Sequence, residues 1–361
     1  VNRNVLSRLA IVGVAIAGLV LAGCGGGGNG GSSSSANSSG SGSDLANLSG
    51  SLKGSGSTFQ DAYDQEVISE FKSVAPNVTV TYNAVGSGTG KKEFGQGLDD
   101  FAGTDSLVKE GDGPAPGSFM YIPTVAAPIT VSYNLSGVDK LQLSPDTLAK
   151  IFSTSIKKWN DPAITTDNPG VQLPDKNITV AHRSDGSGTT SNFTKFLAAA
   201  APGDWKLGSG DTVNWPASTQ GAEKNTGVAQ IVQQTDGAVG YVDYSDATEL
   251  KLSFASIKNK AGQFVAPTLE GAAAAVENAQ VKDDLSYNPL NSDGQASYPI
   301  TSPTYVMIKP KYDDPKKAEL VKAFVRYMLT DGQSIAKDVN FAALPSSLQQ
   351  KALAQLDKIG T

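Results

Sequence analysis

The stretch His182-Arg183-Ser184-Asp185-Gly186-Ser187-Gly188-Thr189-Thr190 decides how this chain is read. It follows Ile178-Thr179-Val180, a short apolar run that reads as a strand, and precedes Ser191-Asn192-Phe193-Thr194-Lys195-Phe196-Leu197, which reads as a helix. A guanidinium, a carboxylate, hydroxyls and glycines therefore fall where a strand turns into a helix. Helix N-termini carry unpaired N–H groups and the positive end of the dipole, so they accept anions. Gly186 and Gly188 let the backbone approach a ligand closely. Ser187 and Thr189 can donate hydroxyl hydrogens, and the planar fork of Arg183 suits a tetrahedral oxyanion. A capped helix start beside a surface Arg–Asp pair would use the same residue types.

Two further turns of the same kind favour the anion reading. Gly54-Ser55-Gly56-Ser57-Thr58-Phe59 runs into Gln60–Phe71, where Ala62, Tyr63, Val67 and Phe71 recur at helical spacing. Val78-Thr79-Val80-Thr81-Tyr82 alternates as a strand does and leads into Val85-Gly86-Ser87-Gly88-Thr89-Gly90-Lys91. That segment is not a P-loop. Val85 stands where the first glycine of such a loop belongs, and Lys92 where its Ser or Thr would be. Three small-donor turns in one chain imply donors converging on one anion.

These segments resemble the phosphate-binding protein (PstS) family of the bacterial high-affinity phosphate ABC importer. The resemblance is carried by Gly54–Phe59, Tyr82–Thr89, Asp100-Phe101-Ala102-Gly103-Thr104-Asp105 and Arg183–Thr189. It continues through Trp159-Asn160-Asp161-Pro162, Gly237–Val242 and Tyr298–Ser302, in family order over about residues 50 to 350. The resemblance implies an α/β, two-lobed periplasmic-binding-protein fold of type II, with a two-strand hinge and an interlobe ligand cleft. It implies that the site is built from Thr58, Phe59, Ser87, Asp105, Arg183, Asp185, Ser187, Gly188 and Thr189. Thr58 and Phe59 would donate from the first turn, Ser87 from the second, and Arg183, Ser187, Gly188 and Thr189 from the third. Asp185 would hold Arg183 in place. Asp105 would accept a proton carried by phosphate, which sulfate lacks at neutral pH, so it would reject the wrong anion. Gln60, where a proline often follows the Phe, is a small departure.

Lobe I is expected at residues 48–127 plus 302–361 and lobe II at 128–301. The crossing falls within Ala126–Tyr133 and the return near Tyr298–Tyr305. Mixed strands and helices over about 310 residues suit two such lobes. Residues 1–23 read as a signal peptide: Arg3 and Arg8 precede an uncharged apolar run from Leu9 to Ala22. Leu21-Ala22-Gly23-Cys24 resembles a lipobox, which makes Cys24 a lipidation site. As the only cysteine it can form no intrachain disulfide. Residues 24–47 are expected to be a tether. Its Gly, Ser, Asn and Ala stretch at 25–43 would reach roughly 25 Å.

The expected function is a substrate-binding lipoprotein, lipid-anchored to the outer face of the cell membrane. Its partners are inorganic phosphate and the permease subunits of the importer; no cofactor or metal is expected, and the protein should be a monomer. The formal charge of −6 argues against nucleic-acid binding, which favours basic faces. Other readings are a binder of sulfate or molybdate, an adhesin, and a hydrolase using His182, Asp185 and Ser187. The last is weakened by strand alternation, which sends His182 and Arg183 to opposite faces.

Overall fold

The computed structural model describes residues 45–360. The expected signal peptide, Cys24 and most of the tether lie outside them. β1 (Ser49–Gly56) leads into α1 (Asp61–Val74), then β2 (Asn77–Ala84), α2 (Ser87–Gly95) and β3 (Phe101–Thr104). The 14-residue β4 (Met120–Tyr133) follows. Next come β5 (Thr179–Arg183), α3 (Gly188–Ala200), β6 (Gln220–Ala222), α4 (Lys224–Gln234) and β7 (Ala238–Asp243). β8 (Thr301–Ile308) and α5 (Pro315–Leu329) bring the chain back.

The main path through the large sheet is β2-β1-β3-β8-β4-β7-β5-β6. β1 pairs in parallel with β2 and β3, and β5 pairs in parallel with β6 and β7. Such connections need crossover helices, and β1, β2, β5 and β6 are each followed by one. β4 joins the two halves. It pairs antiparallel with β8 from Met120 to Pro128, and with β7 from Ile129 to Tyr133. It is buried along nearly its whole length, because it is covered on both faces in both halves. The return is tied to the same point: the Ile129 N–H donates to Ile300 O at 2.8 Å.

Helical spacing in α1 does what the sequence implies. Tyr63, Val67 and Phe71 are buried, and Phe71 packs on Phe324 and Tyr327 of α5, with centroids 5.4 and 5.3 Å apart. The helix after β8 therefore completes the core beneath β1. In the other half, Phe193 of α3 stacks on Tyr241 of β7 at 4.6 Å. That contact holds the start of α3 against the sheet. The folded body starts earlier than the expected tether end at residue 47. Leu45 and Leu48 already pack on the core, as apolar side chains beside a polar linker are free to do.

Candidate functional site

Three strand ends converge: β1 into α1, β2 into α2, and β5 into α3. β3 ends beside them and delivers Asp105, 2 % exposed. The two halves meet backbone to backbone. The Gly88 N–H at the start of α2 donates to Gly186 O at 3.0 Å. A Cβ on Gly186 would sit 3.2 Å from Gly88 Cα. Gly186 therefore also serves close contact between the halves, beyond the close approach to a ligand that the sequence predicts. Gly188 does face the acidic group: a Cβ there would lie 2.7 Å from both Asp105 Oδ2 and Ser87 Oγ.

Arg183 is held by groups of its own chain. Its Nε and Nη2 donate to Asp185 at 2.6 and 2.5 Å, a two-pronged pair of the kind that holds a guanidinium in one plane. Asp185 also accepts from the Lys224 N–H at 3.3 Å. The Arg183 N–H donates to the Tyr241 hydroxyl at 2.9 Å. His182 points elsewhere. It stacks on Trp215 at 4.9 Å, and its Nδ1 lies 2.9 Å from Arg183 O. Burial pushes its pKa down. No hydrolase triad is assembled from it.

Ser187 caps α3, its Oγ accepting from the Thr190 N–H at 3.1 Å. That bond uses a lone pair and leaves the hydroxyl hydrogen to donate. The Ser187 N–H is taken by Asp211 O at 2.9 Å. Thr189 is buried and Thr58 half-buried, and each accepts at Oγ1 from Asn225. The Phe59 N–H has an internal partner, Ser57 Oγ at 3.0 Å, where the sequence reading has it donating to ligand. The tight turn brings that hydroxyl underneath it, and the buried Phe59 ring, edge-on to Phe341, pins the turn.

Asp105 has two hydroxyl neighbours of unequal closeness. Ser57 Oγ lies 2.6 and 2.7 Å from its two oxygens, while Ser87 Oγ is 3.4 Å from Oδ2. Burial pushes its carboxyl up to about 7, against the opposing pull of the Ser57 hydroxyl and the Arg183 charge. Desolvation wins because neither partner is a bonded cation.

Several participants escape sequence reading. Ser57 is one hydroxyl among many in its turn. Asn192 donates to Asp105 O at 2.7 Å and to Ser302 Oγ at 3.0 Å, tying α3 to β3 and to β8. Lys91 of α2, fully buried, pairs with Asp211 at 2.9 Å and Asp112 at 3.1 Å. Ser106 Oγ also donates to Asp211, at 3.1 Å. Long separation hides these contacts, and no local pattern marks them. The arrangement as a whole offers hydroxyl and N–H donors, one anchored guanidinium and one carboxylate with a raised pKa. It suits a small oxyanion that still carries a proton.

The PBP superfamily domain matches residues 33–332. Phosphate-binding protein PstS 3 of Mycobacterium leprae is 35 % identical over 356 residues, covering 95 % of this chain and 96 % of that protein. Phosphate-binding protein PstS of Methanocaldococcus jannaschii is 36 % identical over 314 residues, covering 78 % of this chain and 79 % of its own. Among solved structures, the phosphate-bound periplasmic protein PfluDING superposes with a TM-score of 0.69 at 22 % identity, covering 84 % of this chain and 93 % of that one. A putative phosphate ABC transporter substrate-binding protein with bound phosphate from Clostridium perfringens gives 0.63 at 18 % identity, covering 82 % of this chain and all of that one. These structures share the two-lobed type II fold. The breadth and identity of the sequence matches place this chain in the PstS family of phosphate-binding proteins.

Proposed function

We propose that this protein captures inorganic phosphate between its lobes and delivers it to an ABC-type phosphate import permease outside the cytoplasm. The family binds solutes and is not enzymatic. The observation that carries the reading is the pairing of Asp105 with a field of donors: a buried carboxyl raised to about 7 beside the start of α3. An anion without a proton would face that carboxylate with nothing to offer it, at a cost of about 1–3 kcal/mol or more. A protonated phosphate oxygen would satisfy it.

Thr58, Ser87, Arg183, Ser187, Gly188 and Thr189 are the proposed donors, with Asp185 holding Arg183. The Phe59 N–H would share its hydrogen between Ser57 and the ligand. The lobe boundaries at 127/128 and 301/302 are supported by the exchange of β4 partners between Pro128 and Ile129. Anchoring through a lipidated Cys24, after removal of residues 1–23, is supported by the apolar run Leu9–Ala22 and the lipobox-like Leu21–Cys24, and a monomeric state is part of the same reading. The absence of a cofactor is likewise part of this reading.

Calorimetric titration of purified, anion-stripped protein with phosphate and then sulfate, at about pH 8.5 where Asp105 is ionised, tests the proposal. Saturable phosphate binding without sulfate heat supports it. Equal binding of both would make the protein a general oxyanion receptor, and binding of neither would sink the reading.

A further inference from the structure

Asn225, the second residue of α4, is fully buried. Its Nδ2 lies 3.1 Å from Thr58 Oγ1 and 3.2 Å from Thr189 Oγ1. One hydroxyl comes from the turn before α1 and the other from the first turn of α3, one on each side of the cleft. The amide nitrogen has two hydrogens, so one group serves both. Its Oδ1 has no partner although it is buried.

The chemistry of a hydroxyl gives the arrangement its meaning. Each carries one hydrogen and two lone pairs. Once a lone pair is taken by the amide, the hydrogen must be directed elsewhere. Thr58 and Thr189 are then both set as donors before a ligand enters. With an acceptor in place of Nδ2, each hydroxyl would turn its hydrogen towards residue 225 and present lone pairs to an anion.

We infer that Asn225 is a positioning residue that fixes the polarity of the Thr58 and Thr189 hydroxyls, so that one side chain readies donors on both lobes for the same anion. This rests on the phosphate reading above. It adds a residue that need not touch the ligand, and it couples the two lobes through the direction of hydrogen atoms. Preset donors cost no reorientation on binding, which favours a slow release rate.

The test uses the full chain, with phosphate binding followed by calorimetry and stopped-flow. Asn225→Asp puts an acceptor at the same place and should weaken binding by about 100-fold or more near neutral pH, since both donors are lost and a charge is added. That deficit should shrink from about pH 8 to about pH 5, as the new carboxyl takes up a proton and regains a donor. Asn225→Ala should weaken binding by about 10-fold, mostly through faster dissociation. In a Thr58→Val/Thr189→Val background, Asn225→Ala should have little further effect. Asn225→Ser serves as the second donor-altered variant should the Asp variant not fold.

Wild-type-like binding by the Ala and Ser variants would overturn the inference and leave the phosphate reading standing. So would an undiminished Asn225→Ala effect in the double-valine background, because the residue would then be a structural support only. A wild-type protein that binds no phosphate would overturn both.

Discussion

The two sides of the cleft handle a carboxylate in opposite ways, one half-buried and one fully buried. On the α3 side, Asp185 is clamped by two bonds from Arg183 and a third from the Lys224 backbone. On the β3 side, Asp105 has hydroxyl partners and a guanidinium charge nearby, but no bonded cation. One acid is consumed in holding a donor still. The other is left with a proton affinity near neutrality. The difference teaches that recognition here divides into a fixed attraction and a conditional one: the clamped pair attracts any small oxyanion, and the free acid asks whether it brings a proton.

The sharpest way to break the comparison is Arg183→Ala. It removes the main cation and strands Asp185 beside the site. Breaking a fully buried pair costs about 3–5 kcal/mol, and this half-buried one less. Phosphate affinity measured by calorimetry should fall by about 1,000-fold or more. Adding Asp185→Ala should restore stability in thermal melts but not binding.

Asp105→Asn tests the conditional side. Phosphate should lose about 10- to 100-fold in affinity while sulfate gains, so their ratio collapses. Competition calorimetry that finds the ratio unchanged would remove Asp105 from the selectivity argument.

The pH response sharpens the same point. Sulfate does not titrate in this range, but Asp105 does, at about 7. A protonated Asp105 could donate to sulfate. Wild-type sulfate binding should therefore appear as pH falls below about 7 and weaken by about 10-fold per unit above it, a slope that Asp105→Asn lacks. Stability follows from the sign of the shift. The folded acid holds its proton up to about 7 and the unfolded one only to about 4, so ligand-free protein loses stability as pH rises between them. Asp105→Asn should flatten that part of the melting curve.

A smaller effect is expected from Lys91→Met. Lys91 reaches Asp211, whose own carbonyl holds the Ser187 N–H, so the pair links α2 to the α3 cap. Its loss should raise the phosphate dissociation rate by a few-fold to about 10-fold and leave association nearly unchanged. A variant in which only the association rate moves would argue against this role.

What could be read from the sequence was what is local. The turn at 182–190 announces itself because strand, donors and helix lie within one short segment. Asp105 is found through the resemblance of Asp100–Asp105 to the family block, since a lone acid after a short strand reads equally well as a turn residue. The divergence of His182 from Arg183 follows from strand alternation and is seen in the stacking on Trp215. Other features need the folded chain. Nothing near Asn225 in sequence says that it meets Thr58, 167 residues away. Gly186 reads only as ligand-facing until Gly88 is found against it. The Phe59 N–H reads as free until Ser57 Oγ is found beneath it. In each case the decisive partner comes from tertiary geometry or a tight turn, and residue type alone does not single it out.

The partner exchange along β4 has a mechanical consequence. A strand that belongs to both halves cannot leave one without pulling on the other. Neither half can melt independently while β4 stays zipped into its neighbour. Heating should thus give one cooperative transition in place of two. The amides in the middle of β4 should be among the last in the molecule to exchange with heavy water. The strand that joins the two halves would thus make the protein live or die as a single unit.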